Sequence, residues 1–185
     1  MNHIISIRDA ALTYQARNGE VEALGGVSFD VAEGEFVSIV GPSGCGKSTL
    51  LGVLAGLETL DGGTVALYGR PIAGASGQMG FMPQRDQLFE WRSIRDNVML
   101  GLQIRRDRDP AHHDHVETLL KRYDLSEFAA KRPDQLSGGM RQRCALIRTL
   151  ATGPDILLLD EPFSALDYQT RLAVSGDISV SYTHL

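Results

Sequence analysis

The sequence has little cysteine and few aromatic side chains. Its 185 residues include two cysteines and one tryptophan, and aromatic residues make up 6%. Two cysteines are too few for a disulfide framework. Cys45 lies in a glycine-rich loop, where a disulfide would obstruct a ligand. Both observations favour a location in the reducing cytosol. Cys144 is expected in the core. No apolar run approaches the roughly 18 residues of a membrane span, and the N-terminus lacks the layout of a secretion signal.

Charge and length restrict the class of protein further. The formal net charge of −5 argues against nucleic acid as the main partner. An apolar fraction of 43% is ordinary for a globular protein. The length is enough for one domain with its own core.

The spacing of apolar residues predicts an α/β core interrupted by helices. Alternation at Ile5 and Ile7, and again at Val27, Phe29 and Val31, predicts a small antiparallel sheet. The apolar run 36–40 is typical of a fully buried parallel strand. Further strands are predicted at 64–68, 79–82 and 156–159. Helices are predicted at 47–55, from 93 to about 103, around 116–123 and at 137–152.

A phosphate loop follows the strand predicted at 36–40. Residues 41–49 fit the pattern G-x-x-x-x-G-K-[ST], with a strand before and a helix after. Glycines leave backbone N–H groups free to surround phosphate oxygens at a helix N-terminus. Lys47 is expected to reach the β- and γ-phosphates, and Ser48 to ligate Mg²⁺. The predicted ATP-binding residues of the loop are Gly41, Pro42, Ser43, Gly44, Cys45, Gly46, Lys47, Ser48 and Thr49.

Two carboxylates follow the predicted strand 156–159. Asp160 and Glu161 come at its carboxyl end, where α/β sheets bind ligands. Asp160 is predicted to hold Mg²⁺ through water, and Glu161 to orient and polarise the attacking water. The alternative is a strand that ends in two solvated acids, which the phosphate loop upstream makes the weaker interpretation.

A second glycine-rich element lies between the phosphate loop and this acidic strand end. At the start of a helix, its hydroxyl and amide groups suit an anion. With this element the chain, from about residue 4 to 178, resembles the ATP-binding-cassette (ABC) ATPases. The resemblance implies that the element is the family's signature, which acts on the ATP held by a second subunit in a head-to-tail homodimer. The signature residues are Leu136, Ser137, Gly138, Gly139 and Met140.

The resemblance also implies a fold and further site residues. The fold is α/β, a P-loop NTPase core with a small antiparallel β subdomain and an inserted helical subdomain, with ATP and Mg²⁺ as cofactors. Tyr14 takes the place of the aromatic residue that stacks on adenine, Gln84 that of a catalytic glutamine that senses Mg²⁺ and the transmembrane partner, and Asp167 belongs to the D-loop. The expected organisation is one domain over 1–178, with core and β subdomain at about 1–87 and 153–178, and helical subdomain at about 88–152.

The segment 84–98 narrows the resemblance to a group of importers. It looks like importer ATPases of the nitrate, sulfonate and taurine group, and thiamin-precursor importers carry similar sequence. This implies an ATP-hydrolysing subunit at the cytoplasmic face of the cell membrane. Its partners would be an integral membrane permease and, indirectly, a periplasmic or lipid-anchored solute-binding protein. The resemblance implies that this segment, with Phe89 and Trp91, faces the membrane subunit. Alternatively, Phe89 and Trp91 fill the junction between the core and the helical insert. The partner-facing and the junction interpretations are compatible.

Other members of the superfamily fit less well. ABC proteins of DNA repair and chromosome organisation insert long coiled coils between Gln84 and the signature, and the interval up to Ser137 is too short for them. Translation factors pair two cassettes, and only one is present. A nucleotide-binding fragment without coupled activity is the other alternative.

The end of the sequence departs from the family pattern. The family continues after the D-loop with a helix and then a strand that ends in a histidine, and too few residues separate Asp167 from His184 for both. Residues 180–185 resemble a translated sequencing adaptor, so 179–185 are expected to be a non-native tail after a C-terminal truncation. A native truncated end and a real histidine switch are the alternatives. We expect this chain to be impaired in hydrolysis, because that histidine is missing.

Overall fold

The computed structural model describes residues 3–17 and 19–162, which divide into two compact units at 3–76 and 77–162. The strands are β1 (His3–Ala16), β2 (Gly19–Ala32), β3 (Gly62–Leu67), β4 (Arg70–Pro71), β5 (Met79–Met82) and β6 (Ile156–Leu159). The α-helices are α1 (Lys47–Leu54), α2 (Ile94–Val98), α3 (Leu100–Ile104), α4 (Pro110–Arg122) and α5 (Gly138–Leu150), with 3₁₀ turns at Ser126–Phe128 and Pro133–Gln135. No helix of the described ranges has both the length and the apolar character to cross a bilayer.

The first unit is built on a four-stranded antiparallel sheet. Its strand order is β2-β1-β3-β4. Ile5 pairs with Val31 and Ile7 with Phe29, which confirms the predicted antiparallel pairing. Helix α1 belongs to the same unit, and its residues 50–54 are buried. It ends before Gly56, whose φ of 71° suits a glycine at a helix terminus, as predicted.

The prediction of a fully buried strand at 36–40 is wrong in this structure. Phe36 is 76% exposed and Val40 89%. A buried parallel strand needs ladder partners, and the parallel pair of the described residues is β5 with β6. The apolar composition of residues 36–40 indicates that they favour burial. It does not indicate whether neighbouring strands are present to bury them.

The second unit places two parallel strands beside a group of helices. Strands β5 and β6 pair from Met79 opposite Ile156 to Met82 opposite Leu159. The unit's core is apolar and almost fully enclosed, because the inward face of each helix carries side chains at helical spacing. Its most deeply buried apolar residues include Ile94, Val98, Val116, Leu120, Leu125, Leu146 and Ile147.

The helix predicted from 93 to about 103 starts where expected but is not continuous. The Oγ of Ser93 accepts a hydrogen bond from the N–H of Asp96 at 3.0 Å, which confirms the predicted N-cap. The helix is divided at Met99, where ψ is −8°. This value lies far from the helical value near −42°, so α2 ends there and α3 begins at the next residue.

A buried asparagine organises the loop before α2. Asn97 is 0% exposed. Its Oδ1 accepts from the N–H of Phe89 at 2.8 Å, and its Nδ2 donates to the carbonyls of Phe89 at 3.1 Å and Ser93 at 2.9 Å. The side chain therefore satisfies backbone groups that a loop cannot pair by itself. Trp91, the one tryptophan of the chain, lies in this loop.

Replacing Asn97 with alanine should destabilise this unit by about 2–3 kcal/mol, because several hydrogen bonds are lost and buried backbone groups are left unpaired. Urea unfolding followed by Trp91 fluorescence measures this loss of stability, because Trp91 lies in the loop that Asn97 organises. His115→Ala, an exposed change on α4, should alter stability by less than about 0.5 kcal/mol. Equal stability of Asn97→Ala and the wild type would contradict this role of Asn97.

Candidate functional site

The predicted phosphate loop runs directly into α1. Gly44 and Gly46 have φ values of 82° and 93°, a conformation that suits glycine. A Cβ at Gly46 would lie 2.1 Å from the carbonyl oxygen of Ala23, so the loop approaches β2 too closely for any side chain there. Gly46 is also the N-cap and makes no side-chain cap. The N–H groups of the first helical turn are therefore left for an anion, which fits a phosphate.

Lys47 is folded back over this loop. Its Nζ donates to the carbonyl oxygens of Gly41 and Pro42, each at 2.8 Å, and lies 3.8 Å from the Sγ of Cys45. These partners hold the ammonium group beside the exposed residues 42–45 of the loop. An ammonium group and backbone N–H groups together are the donor set that a polyphosphate needs. Ser48, in the same turn, offers the hydroxyl oxygen that Mg²⁺ accepts as a ligand.

In the second unit, three predicted site residues meet at the carboxyl edge of β5 and β6. Gln84 follows β5, and Asp160 and Glu161 follow β6. The Nε2 of Gln84 donates to the Oε2 of Glu161 at 2.8 Å. Asp160 is only 6% exposed, and its N–H donates to the carbonyl of Met82 at 2.9 Å. Carboxylate and amide oxygens suit Mg²⁺, and both Gln84 and Glu161 are exposed and open to a substrate.

Glu161 has an unusual backbone conformation. Its φ is 48°, in the left-handed region that non-glycine residues occupy only where the surroundings hold them. Its carbonyl oxygen accepts a hydrogen bond from the Nε2 of Gln142 at 3.3 Å. Gln142 lies in α5 and is 5% exposed.

The signature forms the start of α5, as predicted. Ser137 is the N-cap, and its Oγ accepts from the N–H of Met140 at 3.4 Å. Ser137 and Gly138 are exposed, and a Cβ at Gly138 would meet nothing within 4 Å. The start of α5 is therefore open to a large anion.

Two arginines of α5 fasten the segment that follows Gln84. Arg141 donates to the carboxylate of Asp86 through Nε at 2.9 Å and Nη2 at 3.2 Å, and to Glu90 at 2.7 Å. Arg148 donates to the carbonyls of Asp86 at 2.7 Å and Gln87 at 2.8 Å. Arg141 and Arg148 are seven residues apart, so they lie on one face of the helix. This spacing is visible in the sequence, but the motifs alone do not include it.

These contacts shift the pKa of the groups involved. Burial raises the pKa of Asp86, but hydrogen bonds from Arg141 and from the N–H of Leu88 outweigh it, so this pKa lies below the usual 3.8. Hydrogen bonds to Asp86 and Glu90 raise the pKa of Arg141, whereas burial lowers that of Arg148. Burial raises the pKa of the Cys144 thiol to about 12, in agreement with the core position predicted for it.

The loop organised by Asn97 carries an exposed aromatic residue. The rings of Phe89 and Trp91 lie 4.8 Å apart between centroids. Phe89 is half-buried, as the junction interpretation requires. Trp91 is 71% exposed, which favours the partner-facing interpretation for that residue. A cavity of about 440 Å³ lies nearby, lined by residues 84–88 and the start of α5.

The remaining predicted residues lie apart from these clusters or outside the described ranges. Tyr14 is on β1 opposite Val21 and is 40% exposed, so its ring is open to a ligand. Asp167 of the predicted D-loop and His184 lie outside the described residues. In the described part of the chain, no group of three or more histidine, cysteine, aspartate or glutamate side chains could hold a metal ion.

Comparison with known proteins identifies relatives. The family described as ABC transporter matches residues 24–164. The chain is 46% identical over 164 residues to the uncharacterized ABC transporter ATP-binding protein YtlC of Bacillus subtilis, covering 89% of this chain and 63% of that protein. It is 42% identical over 173 residues to the taurine import ATP-binding protein TauB of Ruegeria pomeroyi, covering 93% and 65%. The chain thus spans less than two thirds of the length of these two relatives.

A solved structure has the same fold. The dimeric ATP-binding cassette MJ0796, in a post-hydrolysis state bound to ADP and Pi, superposes with a TM-score of 0.85 at 32% identity, covering 94% of this chain and 81% of that one. A second dimeric structure of MJ0796, a bacterial ABC transporter cassette, gives 0.86. The predicted α/β fold class, that of the ABC ATPase cassettes, is confirmed.

The two cysteines should differ sharply in reactivity. An aromatic disulfide reagent at pH 8 should modify Cys45, which is exposed, and leave Cys144 untouched, because its thiol is buried and remains protonated. One thiol per native chain should react, and the second only after unfolding. Cys45→Ser should leave no reactive thiol in the native chain. Rapid modification of Cys144 in that variant would contradict its burial.

The Arg141–Asp86 pair should contribute a coupling energy of about 1–2 kcal/mol, because the contact is bidentate and only about a quarter of each side chain is exposed. A double-mutant cycle with Arg141→Met and Asp86→Asn in urea measures it. Since the pKa of Asp86 is lowered in the folded chain, the coupling should persist above pH 3.8 and disappear as the pH falls below it. A coupling near zero at pH 7 would show that the bidentate contact between Arg141 and Asp86 does not contribute to stability.

Proposed function

Because the chain belongs to the ABC transporter family, we propose that it is the ATP-binding and hydrolysing subunit of a bacterial importer. The observation that carries the proposal is the hydrogen bond from Gln84 to Glu161 beside the signature helix α5. This hydrogen bond joins Gln84, proposed to sense the transporter, to Glu161, proposed to activate water, and both residues lie in the second unit. Relatives named as taurine import proteins, at 42% to 45% identity, support the import direction.

The phosphate loop binds ATP in this proposal. The loop from Gly41 to Thr49 would surround the β- and γ-phosphates with the backbone N–H groups of its residues other than Pro42, and Lys47 would exchange the carbonyls of Gly41 and Pro42 for phosphate oxygens. Tyr14 would stack on the adenine ring with its exposed face. Ser48, Gln84 and, through water, Asp160 are the residues that would hold Mg²⁺. When bound, the ion would neutralise charge that develops on the phosphates.

Glu161 is the proposed catalytic base. Its exposed carboxylate accepts a proton from the water that attacks the γ-phosphate, and Gln84 orients the carboxylate and that water. The left-handed backbone at Glu161 sets the direction in which the carboxylate projects from the strand.

The signature completes the site of a second subunit. Ser137, Gly138 and Gly139 offer a hydroxyl and helix N-terminal amides on an exposed surface, where the γ-phosphate of a partner's ATP can bind. A head-to-tail homodimer follows from this arrangement, and the dimeric solved structures of MJ0796 support it. The D-loop residue Asp167 is proposed to lie at the same interface.

The exposed Trp91 loop is the proposed contact with an integral membrane permease. The hydrogen bonds of Asn97 organise this loop. Arg141 and Arg148 hold the segment between the loop and Gln84. The subunit would work at the cytoplasmic face of the membrane, and the solute-binding protein would act on it only through the permease. The solute class proposed is a small anionic or nutrient solute of the nitrate, sulfonate or taurine kind.

In the complete product of the native gene, called here the full-length subunit, Glu161→Gln should lower kcat for ATP by about 100-fold or more while ATP still binds. Lys47→Ala should abolish binding instead, because the charge on the phosphates loses its partner. Phosphate release and the fluorescence of a labelled ATP measure the two effects.

Glu127→Gln, on an exposed 3₁₀ turn, is the matched control and should hydrolyse ATP like the wild type. Hydrolysis by Glu161→Gln at the wild-type rate would refute the assignment of the base. Absence of a permease from material purified with the native subunit, under conditions that retain membrane complexes, would refute the importer assignment.

A further inference from the structure

Gln142 is a buried amide with a contact that the proposed catalytic scheme does not use. It lies in the second turn of α5 and is 5% exposed, although glutamine is a surface residue in most proteins. Its Nε2 donates to the carbonyl oxygen of Glu161 at 3.3 Å. A buried polar side chain is costly unless its hydrogen bonds are made, so this contact has a role in how the two elements fit together.

The carbonyl that Gln142 reaches is a sensitive one. Glu161 has a φ of 48°, and the next residue is Pro162, which disfavours the right-handed helical region at the residue before it. Left-handed backbone in a non-glycine residue is costly and persists only where the surroundings hold it. A hydrogen bond to the carbonyl of Glu161 fixes the plane of its peptide and therefore the direction of its side chain.

Glu161 is held at a second point by Gln84, whose Nε2 donates to its carboxylate at 2.8 Å. Gln84 is exposed and is also proposed to hold Mg²⁺ and to orient the attacking water, so Glu161 needs a support that these roles do not involve. Gln142 is buried and donates to the backbone carbonyl oxygen of Glu161. This contact leaves the carboxylate of Glu161 free to accept a proton, while the backbone that sets the direction of the side chain is held in place.

We propose that Gln142 is a positioning residue for Glu161, which ties the catalytic carboxylate of each subunit to that subunit's own signature helix. The inference rests on the proposed function, since it assigns Glu161 the role of base. Its consequence is a link between two half-sites. The helix whose N-terminus faces the partner's ATP also holds the glutamate that acts on the subunit's own ATP.

Mixed dimers of the full-length subunit test this placement. One subunit keeps Glu161 and the other carries Glu161→Gln, so that hydrolysis occurs at a single site while both subunits can bind ATP. Gln142→Met is then introduced into either subunit. Methionine has nearly the shape of glutamine and no N–H, so it removes the hydrogen bond with little change in packing.

With Gln142→Met in the subunit that keeps Glu161, kcat should fall about tenfold, since a small displacement of a reacting group has an effect of this order. KM for ATP should change less than twofold. The loss should be at least five times greater than with Gln142→Met in the other subunit. Lys121→Met, on the exposed side of α4, is the control in the same subunit and should leave kcat unchanged.

Equal losses in both placements would overturn the inference, because they would indicate general support of α5. A loss only in the Glu161→Gln subunit would also overturn it and assign Gln142 to the signature. If Gln142→Met lowers the melting temperature, Gln142→Glu, which keeps the shape but accepts where glutamine donates, must give the same dependence on placement. A reference mixed dimer without ATPase activity would refute the proposed function itself.

Discussion

Parallel pairing of β5 with β6 is the constraint on which the candidate site depends. With Met82 opposite Leu159, the residues that follow the two strands emerge at one edge, and Gln84 comes within hydrogen-bond distance of Glu161. A shift of one residue would turn each side chain to the other face of the sheet. The register is held by the buried side chains Met82, Ile156 and Leu158, so apolar packing inside this unit determines the geometry of the polar groups at its edge.

Helix α5 transmits that geometry to the other predicted elements. Its N-terminus carries the signature, Arg141 and Arg148 hold the segment after Gln84, and Gln142 reaches the backbone of Glu161. The inner face of the helix is fully buried at Cys144, Ala145 and Ile147, which keeps these contacts in place. A displacement of α5 would therefore affect the predicted signature, the segment after Gln84 and Glu161 together.

Local patterns predicted the elements of the site well. The strand 79–82, the N-caps Ser93 and Ser137 and the helix containing Val116 and Leu120 are as expected, because each depends on residues close together in the chain. The strand expected at 36–40 is wrong, because burial of a central strand depends on partners elsewhere in the chain. The motifs assigned roles to Gln84 and Glu161, but their hydrogen bond depends on the parallel pairing of β5 with β6, which joins segments far apart in the chain.

The contacts of Arg141, Arg148 and Gln142 could not be predicted from the motifs, since they join residues that are distant in the sequence. Those of Asn97 are local, but they depend on the path of the loop before α2. Their meaning depends on a second subunit, because the signature of one subunit is proposed to act on the ATP of the other. The most direct test is the mass of the full-length Glu161→Gln subunit, with and without MgATP, by light scattering. The account predicts an ATP-dependent dimer that Ser137→Arg prevents without loss of ATP binding. A subunit that binds ATP and stays monomeric, or a dimer that Ser137→Arg leaves intact, would contradict it.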